Sequence, residues 1–243
     1  VEDCWGRALW GFGVAAALHS NPAVRRWALR SFEKSARQRS PWKRSMTFAA
    51  LGAAEVATLD PHHTAANALM SDFLAMVGPV PHHGWMWPEP RLSYGNASLA
   101  EAVIASGAAL GRDSDVERGL RMLGWLLADE TRDEHLSVTG VGGRGPADTR
   151  PQFDQQPIEV AAMADACWRA HRLTGEQRWA DGVVAAAEWF DGANDAGLPM
   201  ADPITGGGYD GLHAHAVNVN MGAESTLALL SARHRMASFV AAN

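Results

Sequence analysis

Apolar residues recur at every third or fourth position along most of the chain, which is the pattern of helices that each bury one face. Alternation of valine, isoleucine or threonine with polar residues, which marks strands, is nearly absent. The chain is therefore expected to be all-α. The pattern predicts nine helices, at residues 3–20, 22–38, 42–59, 62–77, 92–111, 114–129, 156–174, 176–192 and 219–237.

Several predicted helix ends carry local signals. The stretches "SNPAV" (20–24), "RSPWK" (39–43) and "QQPIE" (155–159) place a polar residue before a proline, as an N-cap followed by a first-turn proline does. In the last of them, Glu159 stands where the acidic residue of a capping box would be. Gly175 is expected to end one helix before the next begins.

The predicted linkers alternate in length. Short turns follow the odd-numbered helices from the first to the seventh, whereas helices five, seven and nine are preceded by the long segments 78–91, 130–155 and 193–218. This alternation predicts stacked antiparallel hairpins, with the Ala- and Gly-rich odd helices forming an inner layer. The fold class is thus an (α/α)6-toroid-like stack, incomplete because six hairpins need twelve helices. We expect one domain over 1–243, with a first hairpin upstream of residue 1.

Polar residues that fit neither a core nor an ordinary surface gather just before the odd-numbered helices. Because all inner helices of a toroid start at the same rim, these segments are expected to converge over the mouth of a central funnel. Helix N-termini there would add positive potential and free N–H donors. The segments are 1–7, 85–96, 150–159, 205–211 and 218–226.

Composition and charge exclude several classes of function. The 243 residues carry a net charge of −6 without a dense Lys/Arg run, so no nucleic-acid partner is expected. No apolar run approaches the ~20 residues that span a bilayer, so no membrane contact is expected. Cys4 and Cys167 are too few for a disulfide framework or zinc site and are expected to be buried thiols, which favours a cytoplasmic location.

No cofactor or metal ion is expected. The glycines at 206–208 lack the GK[ST] ending of a phosphate-binding loop. His213 and His215 form an H-x-H pair, but the sequence has no second His/Cys cluster to complete a metal site.

Three carboxylates in the polar segments are candidates for chemistry. Asp154 precedes a helix that Gln156 and Pro157 could already start, so capping does not explain it. Asp210 suits either an Asx turn or a site carboxylate, and Glu224 suits either a favourable helix-dipole position or a site carboxylate.

Five stretches of the sequence resemble a family of bacterial proteins that are similar to six-hairpin (α/α)6 glycosidases and occur alone or as the C-terminal part of chains with a glycosyltransferase domain. The resemblance implies a carbohydrate ligand and a glycosyltransferase domain as a partner. It also implies helical sequence upstream, with an acidic Asp-Asp-Asn-Ala-Arg-like stretch on the first inner helix, without which the site would be partial. The stretches are "EDCWGRALWGFG", "WMWPEPRLSYGNASLAEAVIASG", "QFDQQPIEVAAMADAC", "TGGGYDGL" and "NVNMGAESTLALL".

The leading hypothesis is a glycoside hydrolase that acts on an oligo- or polysaccharide with paired carboxylates. Asp154 and Asp210 are the first catalytic candidates, with Glu224 next and Glu89 or Asp3 as further alternatives. Aromatic side chains expected to stack on sugar faces are Trp85, Trp87, Phe153 and Tyr209. Other side chains expected to bind the substrate are Glu89, Asn96, Arg144, Gln155, Asn218 and Asn220.

Two alternatives remain open at this point. One is a non-catalytic sugar-binding or scaffold module that serves a glycosyltransferase. The other is a sugar epimerase of the N-acylglucosamine epimerase type, which moves a proton at carbon and favours histidine bases. The histidines available for that chemistry are His213 and His215, with His82 or His83.

Overall fold

A computed structural model of the chain describes residues 2–240, and residues 1 and 241–243 of the predicted domain lie outside them. The described part is mostly helical, which confirms the all-α prediction. Its nine helices are α1 Glu2–Leu18, α2 Pro22–Ser35, α3 Lys43–Ala57, α4 Thr64–Val77, α5 Asn96–Ala109, α6 Asp113–Asp129, α7 Pro157–Thr174, α8 Gln177–Phe190 and α9 Ala223–Val240. Four two-residue strands, which the periodicity did not predict, are β1 Thr131–Arg132, β2 His135–Leu136, β3 Gly211–Leu212 and β4 Val217–Asn218.

Two of the predicted helix ends have the expected geometry. The Asn21 side chain accepts a hydrogen bond from the N–H of Ala23, with Pro22 as the first helical residue. Gly175 adopts φ 71° and donates its N–H to the carbonyl of His171. The start of α3 differs, because Ser40 accepts from the N–H of Trp42 at 3.1 Å before the helix begins.

Helices α5 and α9 each begin four residues later than predicted. Leu92 instead exchanges two backbone hydrogen bonds with Arg144, and the carbonyl of Asn220 accepts from the N–H of Asp210. The apolar periodicity therefore continues into segments whose backbone groups bond to other loops.

The chain divides into two compact units, which we describe separately; the division falls within α5 and within α6. The prediction of one domain stays a prediction. In the unit formed by Val1–Val80 and Leu99–Arg121, α1 packs against α2 and α3, and α3 packs against α4. Small residues allow this packing, since a Cβ on Gly13 would lie 2.2 Å from the carbonyl oxygen of Gly52.

The second unit, Pro81–Ser98 with Met122–Asn243, contains α7, α8 and α9 in mutual contact. Its core includes the fully buried side chains of Trp179, Trp189 and Phe190. Cys167 is a buried free thiol as expected, whereas Cys4, in the first unit, is exposed, which corrects the prediction for that residue. Cys4 lies in the first turn of α1, on the exposed side of the helix.

Candidate functional site

Three of the polar segments meet in the second unit through backbone hydrogen bonds. Leu92 and Arg144 exchange two bonds of 2.7 and 2.9 Å, and Val141 donates its N–H to the carbonyl of Asp154 at 2.9 Å. Gln155 and Leu212 exchange a further pair of 3.0 and 2.9 Å. The segments that precede α5, α7 and α9 are therefore joined into one continuous network, as the linker pattern predicted for this part of the chain.

A short antiparallel sheet places residues from two of these segments side by side. Gln155 pairs with Leu212, and Gly211 pairs with Asn218 in the next strand. Asp154 and His213 flank this single bridge on the two segments, and His213 is close enough to exert a lowering effect on the pKa of the Asp154 carboxyl. Side chains that lie directly opposite in such a sheet project to the same face, with their Cβ atoms about 4.5–5.5 Å apart.

The two faces of this sheet differ in character. Gln155 and Leu212 point to one face and are fully buried. Because side chains alternate along a strand, Asp154, Gln156, His213 and Asn218 share the opposite face. We call these four residues the polar face. On it, His213 is exposed and the other three are half-buried, so a ligand can reach the cluster.

Asp154 is the most unusual member of the polar face. Its Oδ2 accepts a hydrogen bond of 3.0 Å from Nε2 of Gln156, whereas Oδ1 is buried and no donor among the described residues reaches it. Burial raises the pKa of the Asp154 carboxyl, against smaller lowering effects from His213 and Gln156. A carboxyl group with one unpaired oxygen and a raised pKa is suited to exchange a proton with a ligand.

Gly211 makes room for that carboxylate. A Cβ at position 211 would lie 2.3 Å from Oδ1 of Asp154, closer than any van der Waals contact permits. The glycine is thus required by the position of Asp154 rather than by its own backbone angles.

A Gly211→Ala variant is therefore expected to displace Asp154 and to lower strongly any activity that depends on it, with a smaller effect on folding because the half-buried Asp154 side chain can rotate away. Activity and thermal unfolding of the purified variant check this. The control is Ala201→Gly, which changes the neighbouring loop by one methyl group without touching Asp154. Gly206→Ala is unsuitable as a control because Gly206 has a φ of 75°, which alanine rarely adopts. Equal activity of Gly211→Ala and the parent would contradict the assignment.

Asp210, the second predicted carboxylate, fastens the start of α9. Its Oδ1 accepts from the hydroxyl of Ser225 at 2.6 Å and from the N–H of Gly222 at 2.8 Å. These two bonds hold the pKa of Asp210 below its ordinary value. The carboxylate therefore stays ionised, and its geometry is that of a helix cap.

The remaining residues near α9 are more open. Glu224 is exposed in the first turn of the helix, where it complements the helix dipole. Asn220 is exposed, and its N–H donates to the side-chain oxygen of Asn218 at 3.2 Å. Tyr209 is half-buried and its hydroxyl donates to Asp202 at 3.4 Å. Phe153 is half-buried beside Asp154.

Trp87 and Asn96 are not presented to a ligand. Only 2% of Trp87 is exposed, and its ring lies 5.9 Å from that of Trp125. Asn96 is 1% exposed, and its side-chain oxygen accepts from the N–H of Ser93. We therefore correct the prediction of direct sugar contact for both residues, because packing and the start of α5 use these side chains.

Arg144 and Gln155 are likewise buried and bonded within the protein. The guanidinium of Arg144 pairs with Asp129, and burial lowers its pKa to about 10. Gln155 donates to Asp195 and accepts from Trp189. This corrects the prediction that they bind sugar hydroxyls. Trp85 and Glu89 are half-buried, and Trp85 donates its ring N–H to the carbonyl of Glu89 at 2.7 Å.

Glu159 does not form the predicted capping box. Its carboxylate accepts from the N–H groups of Gly95 and Asn96, at 2.7 and 3.3 Å, so it binds the start of α5 rather than that of its own helix. Asp3, a further predicted alternative, lies in the other unit, where it accepts a hydrogen bond from Ser45.

Sequence reasoning missed several residues of the site. It weighed Asp154 and His213 for different reactions and did not pair them. It gave Gln156 only a capping role, and it did not consider Asp195 or the buried Glu130. The only local signal for this pairing is that two tripeptides, 154–156 and 211–213, could each direct their side chains alternately to two faces of a sheet. Three residues are too few for a periodicity argument.

Two further observations concern cofactors and membranes. Within residues 2–240, no three His, Cys, Asp or Glu side chains are grouped so that they could hold a metal ion. In the same part of the chain, no helix combines the length and the hydropathy needed to cross a bilayer.

Comparison with known proteins identifies the fold. No protein-family model matches the chain, and no curated protein matches it. Among solved structures, a D-mannose isomerase is 13% identical with a TM-score of 0.71, over 99% of this chain and 71% of that one. A sugar epimerase from a ruminal bacterium is 10% identical with a TM-score of 0.64, over 96% of this chain and 71% of that one. The α/α-toroid-like fold class predicted from the sequence is thereby confirmed.

Proposed function

We propose that the protein is a sugar isomerase that interconverts an aldose and a ketose, with His213 and Asp154 as its acid–base pair. The observation that supports the proposal is the bridge between Gln155 and Leu212, which makes Asp154 and His213 neighbours on the accessible polar face. The likeness to a D-mannose isomerase and a sugar epimerase supports a carbohydrate substrate over the other ligands of this fold class. Of the alternatives left open by the sequence, proton transfer at carbon therefore fits better than hydrolysis.

The proposed reaction moves two protons without an oxidant or reductant. His213 takes the proton from C2 of the open-chain aldose and returns it to C1, through an enediol intermediate. The half-buried carboxyl group of Asp154 relays the second proton from the O2 hydroxyl to O1. The imidazolium that forms after the first step lies beside the Asp154 carboxylate, whose charge stabilises it.

The arrangement favours isomerisation over epimerisation. Both groups project from one face of the same sheet, so they approach the substrate from the same side. Transfer between C1 and C2 on one side of an enediol needs only that arrangement. Epimerisation returns the proton to the opposite side of the same carbon and needs a second base there.

Incubation with a panel of aldoses and ketoses in D₂O tests the proposal. We expect the product of one pair to carry deuterium at the carbon that receives the proton, and unconsumed substrate to gain deuterium at C2. NMR and mass spectrometry of the sugars give both readouts. Ligand binding without deuterium at any carbon would instead support a non-catalytic sugar-binding module.

One observation favours glycoside hydrolysis as a second candidate. The pKa of Asp154 is raised and that of Asp210 is lowered, which is the split between a proton donor and an ionised partner that a glycosidase needs. Hydrolysis of an oligosaccharide in H₂¹⁸O would place ¹⁸O at the anomeric carbon and no deuterium on carbon in D₂O. The predicted glycosyltransferase partner stays a prediction.

A further inference from the structure

A chain of four side chains connected by hydrogen bonds lies beneath the polar face. Nε2 of His135 lies 3.2 Å from Oδ1 of Asp195, and Oδ2 of Asp195 accepts from Nε2 of Gln155 at 2.6 Å. Oε1 of Gln155 in turn accepts from the indole N–H of Trp189 at 3.4 Å. Gln155 and Trp189 are fully buried, and 3% of the Asp195 side chain is exposed. We call this chain the buried relay.

The buried relay determines how the amide of Gln155 is oriented. An ionised aspartate only accepts hydrogen bonds, and an indole N–H only donates them. With Asp195 on one side and Trp189 on the other, the amide nitrogen of Gln155 must face Asp195 and its oxygen must face Trp189. The reverse orientation would leave both contacts without a hydrogen bond, which is unfavourable for buried polar groups.

The turn that carries Asp195 is held by hydrogen bonds that do not involve Gln155. The preceding residue, Asn194, donates to the carbonyls of Trp189 and Leu198 and accepts from the N–H groups of Ala196 and Leu198. These four bonds close a rigid turn after α8. On the other side, His135 lies in β2 of a hairpin whose ends are joined by the Ser137 N–H and the Glu130 carbonyl.

Gln155 connects this buried relay to the polar face. Its backbone exchanges two hydrogen bonds with Leu212, so the position of Gln155 sets the register of the two strands. A slip of one residue would turn Asp154 to the opposite face, away from His213. The residue that the buried relay holds is therefore adjacent to Asp154 and fixes which side chain faces His213.

We propose that Asp195 and His135 are positioning residues, which act through Gln155 to hold Asp154 opposite His213. Neither residue lies on the polar face, and nothing in the proposed reaction requires either to exchange a proton. The part of the inference that concerns turnover rests on the proposed function, whereas the part that concerns the position of Asp154 does not.

The test compares four variants by two independent readouts. Asp195→Ala removes the acceptor for Gln155, whereas Asp195→Asn keeps an oxygen that can accept the same bond. His135→Leu removes the ring nitrogen that contacts Asp195, whereas His135→Gln keeps an N–H donor. These two variants provide a second comparison if Asp195→Ala does not fold. The matched control is Asp165→Ala, which removes another carboxylate of the same unit, paired with Arg235 at 2.6 Å.

The first readout is the titration of the Asp154 carboxyl carbon by ¹³C NMR, assigned by its loss in Asp154→Asn. Because burial raises the pKa of Asp154, we expect Asp195→Ala and His135→Leu to lower it toward the ordinary value. Asp195→Asn and His135→Gln should restore most of the difference, and Asp165→Ala should leave the titration unchanged. An unchanged Asp154 titration in both Asp195→Ala and His135→Leu would overturn the positioning role.

The second readout is steady-state kinetics of isomerisation. We expect kcat to fall by about tenfold to a hundredfold in Asp195→Ala with KM unchanged, because a misplaced reacting group slows the chemical step. If the Asp154 titration moves as expected but no variant and no parent protein isomerises a sugar, the positioning role stands and the proposed function fails. If the parent isomerises a sugar and Asp195→Ala is as active as Asp165→Ala, the positioning role fails alone.

Discussion

Replacement of His213 by asparagine is expected to lower kcat for aldose–ketose isomerisation by about 10²- to 10⁴-fold, the usual contribution of a general base. Asparagine keeps a polar side chain of similar length, but it cannot take a proton from carbon near neutral pH. Because His213 is exposed at the end of a short strand, the folded state should tolerate the change. The measurement is kcat and KM of the variant, with its thermal unfolding recorded in parallel.

Two other histidines serve as references in that experiment. His234→Asn on the exposed surface of α9 is the matched control and should leave kcat unchanged. His215 lies in the same turn as His213, between the strands β3 and β4. A loss of activity confined to His215→Asn would assign the base to that residue, and full activity of His213→Asn would contradict the proposed pair.

The second large effect concerns stability and its dependence on pH. Glu130 is fully buried at the end of α6, where Oε1 accepts from the N–H and the hydroxyl of Thr139 at 2.9 and 2.6 Å. Burial raises the pKa of Glu130 to about 7 despite these bonds, with a further raising effect from Glu159 and a lowering effect from Arg150. The folded state therefore binds a proton more tightly than the unfolded chain, whose glutamate has an ordinary pKa of 4.5.

The sign of the effect follows from proton linkage. Between pH 4.5 and about 7 the folded protein holds more protons at Glu130 than the unfolded chain does, so this residue makes the free energy of unfolding fall as pH rises through that window. Above about pH 7 the ionised Glu130 lowers the free energy of unfolding by its full amount, roughly 3 kcal/mol. Below pH 4.5 the side chain is neutral in both states and the penalty is absent.

A Glu130→Gln variant is consequently expected to be more stable than the parent at pH 8, by up to roughly 3 kcal/mol, and no more stable at pH 4. Glutamine is uncharged at both values, and its amide oxygen can still accept from Thr139. Urea unfolding at the two pH values gives the comparison. Glu117→Gln, on the exposed surface of α6, is the control. A stability gain for Glu130→Gln that is equal at pH 4 and pH 8 would contradict the linkage.

Nine helices could be predicted because the information that specifies a helix is local. Periodicity at three and four residues reports which side of a segment is buried, and the polar residues and glycines at its ends report where it stops. The predicted helix starts were wrong where backbone groups form hydrogen bonds with other loops. This is the case at Leu92, which pairs with Arg144, and at Asn220, which bonds to Asp210. Such bonds depend on residues far away along the chain.

The candidate site could be predicted only in part. Asp154 became a candidate because its segment holds more polar residues than a helix cap needs, and its role stays a prediction. Trp87, Asn96 and Gln155 look equally suited to a sugar from sequence, yet packing and internal hydrogen bonds bury all three. The same types of polar residue bind ligands and complete buried hydrogen-bond networks, so only their surroundings in the folded protein distinguish the two roles.

The all-α chain of helical hairpins, the polar segments before α5, α7 and α9, and the choice of Asp154 as a candidate could all be read from the sequence. The nearness of Asp154 to His213, the room that Gly211 leaves for the carboxylate and the attachment of Asp210 to the start of α9 emerged only in the folded chain. The physical reason is separation along the sequence, because the residues that specify a helix lie within a few positions of one another. The partner of a side chain on a two-residue strand is chosen by backbone pairing between distant segments.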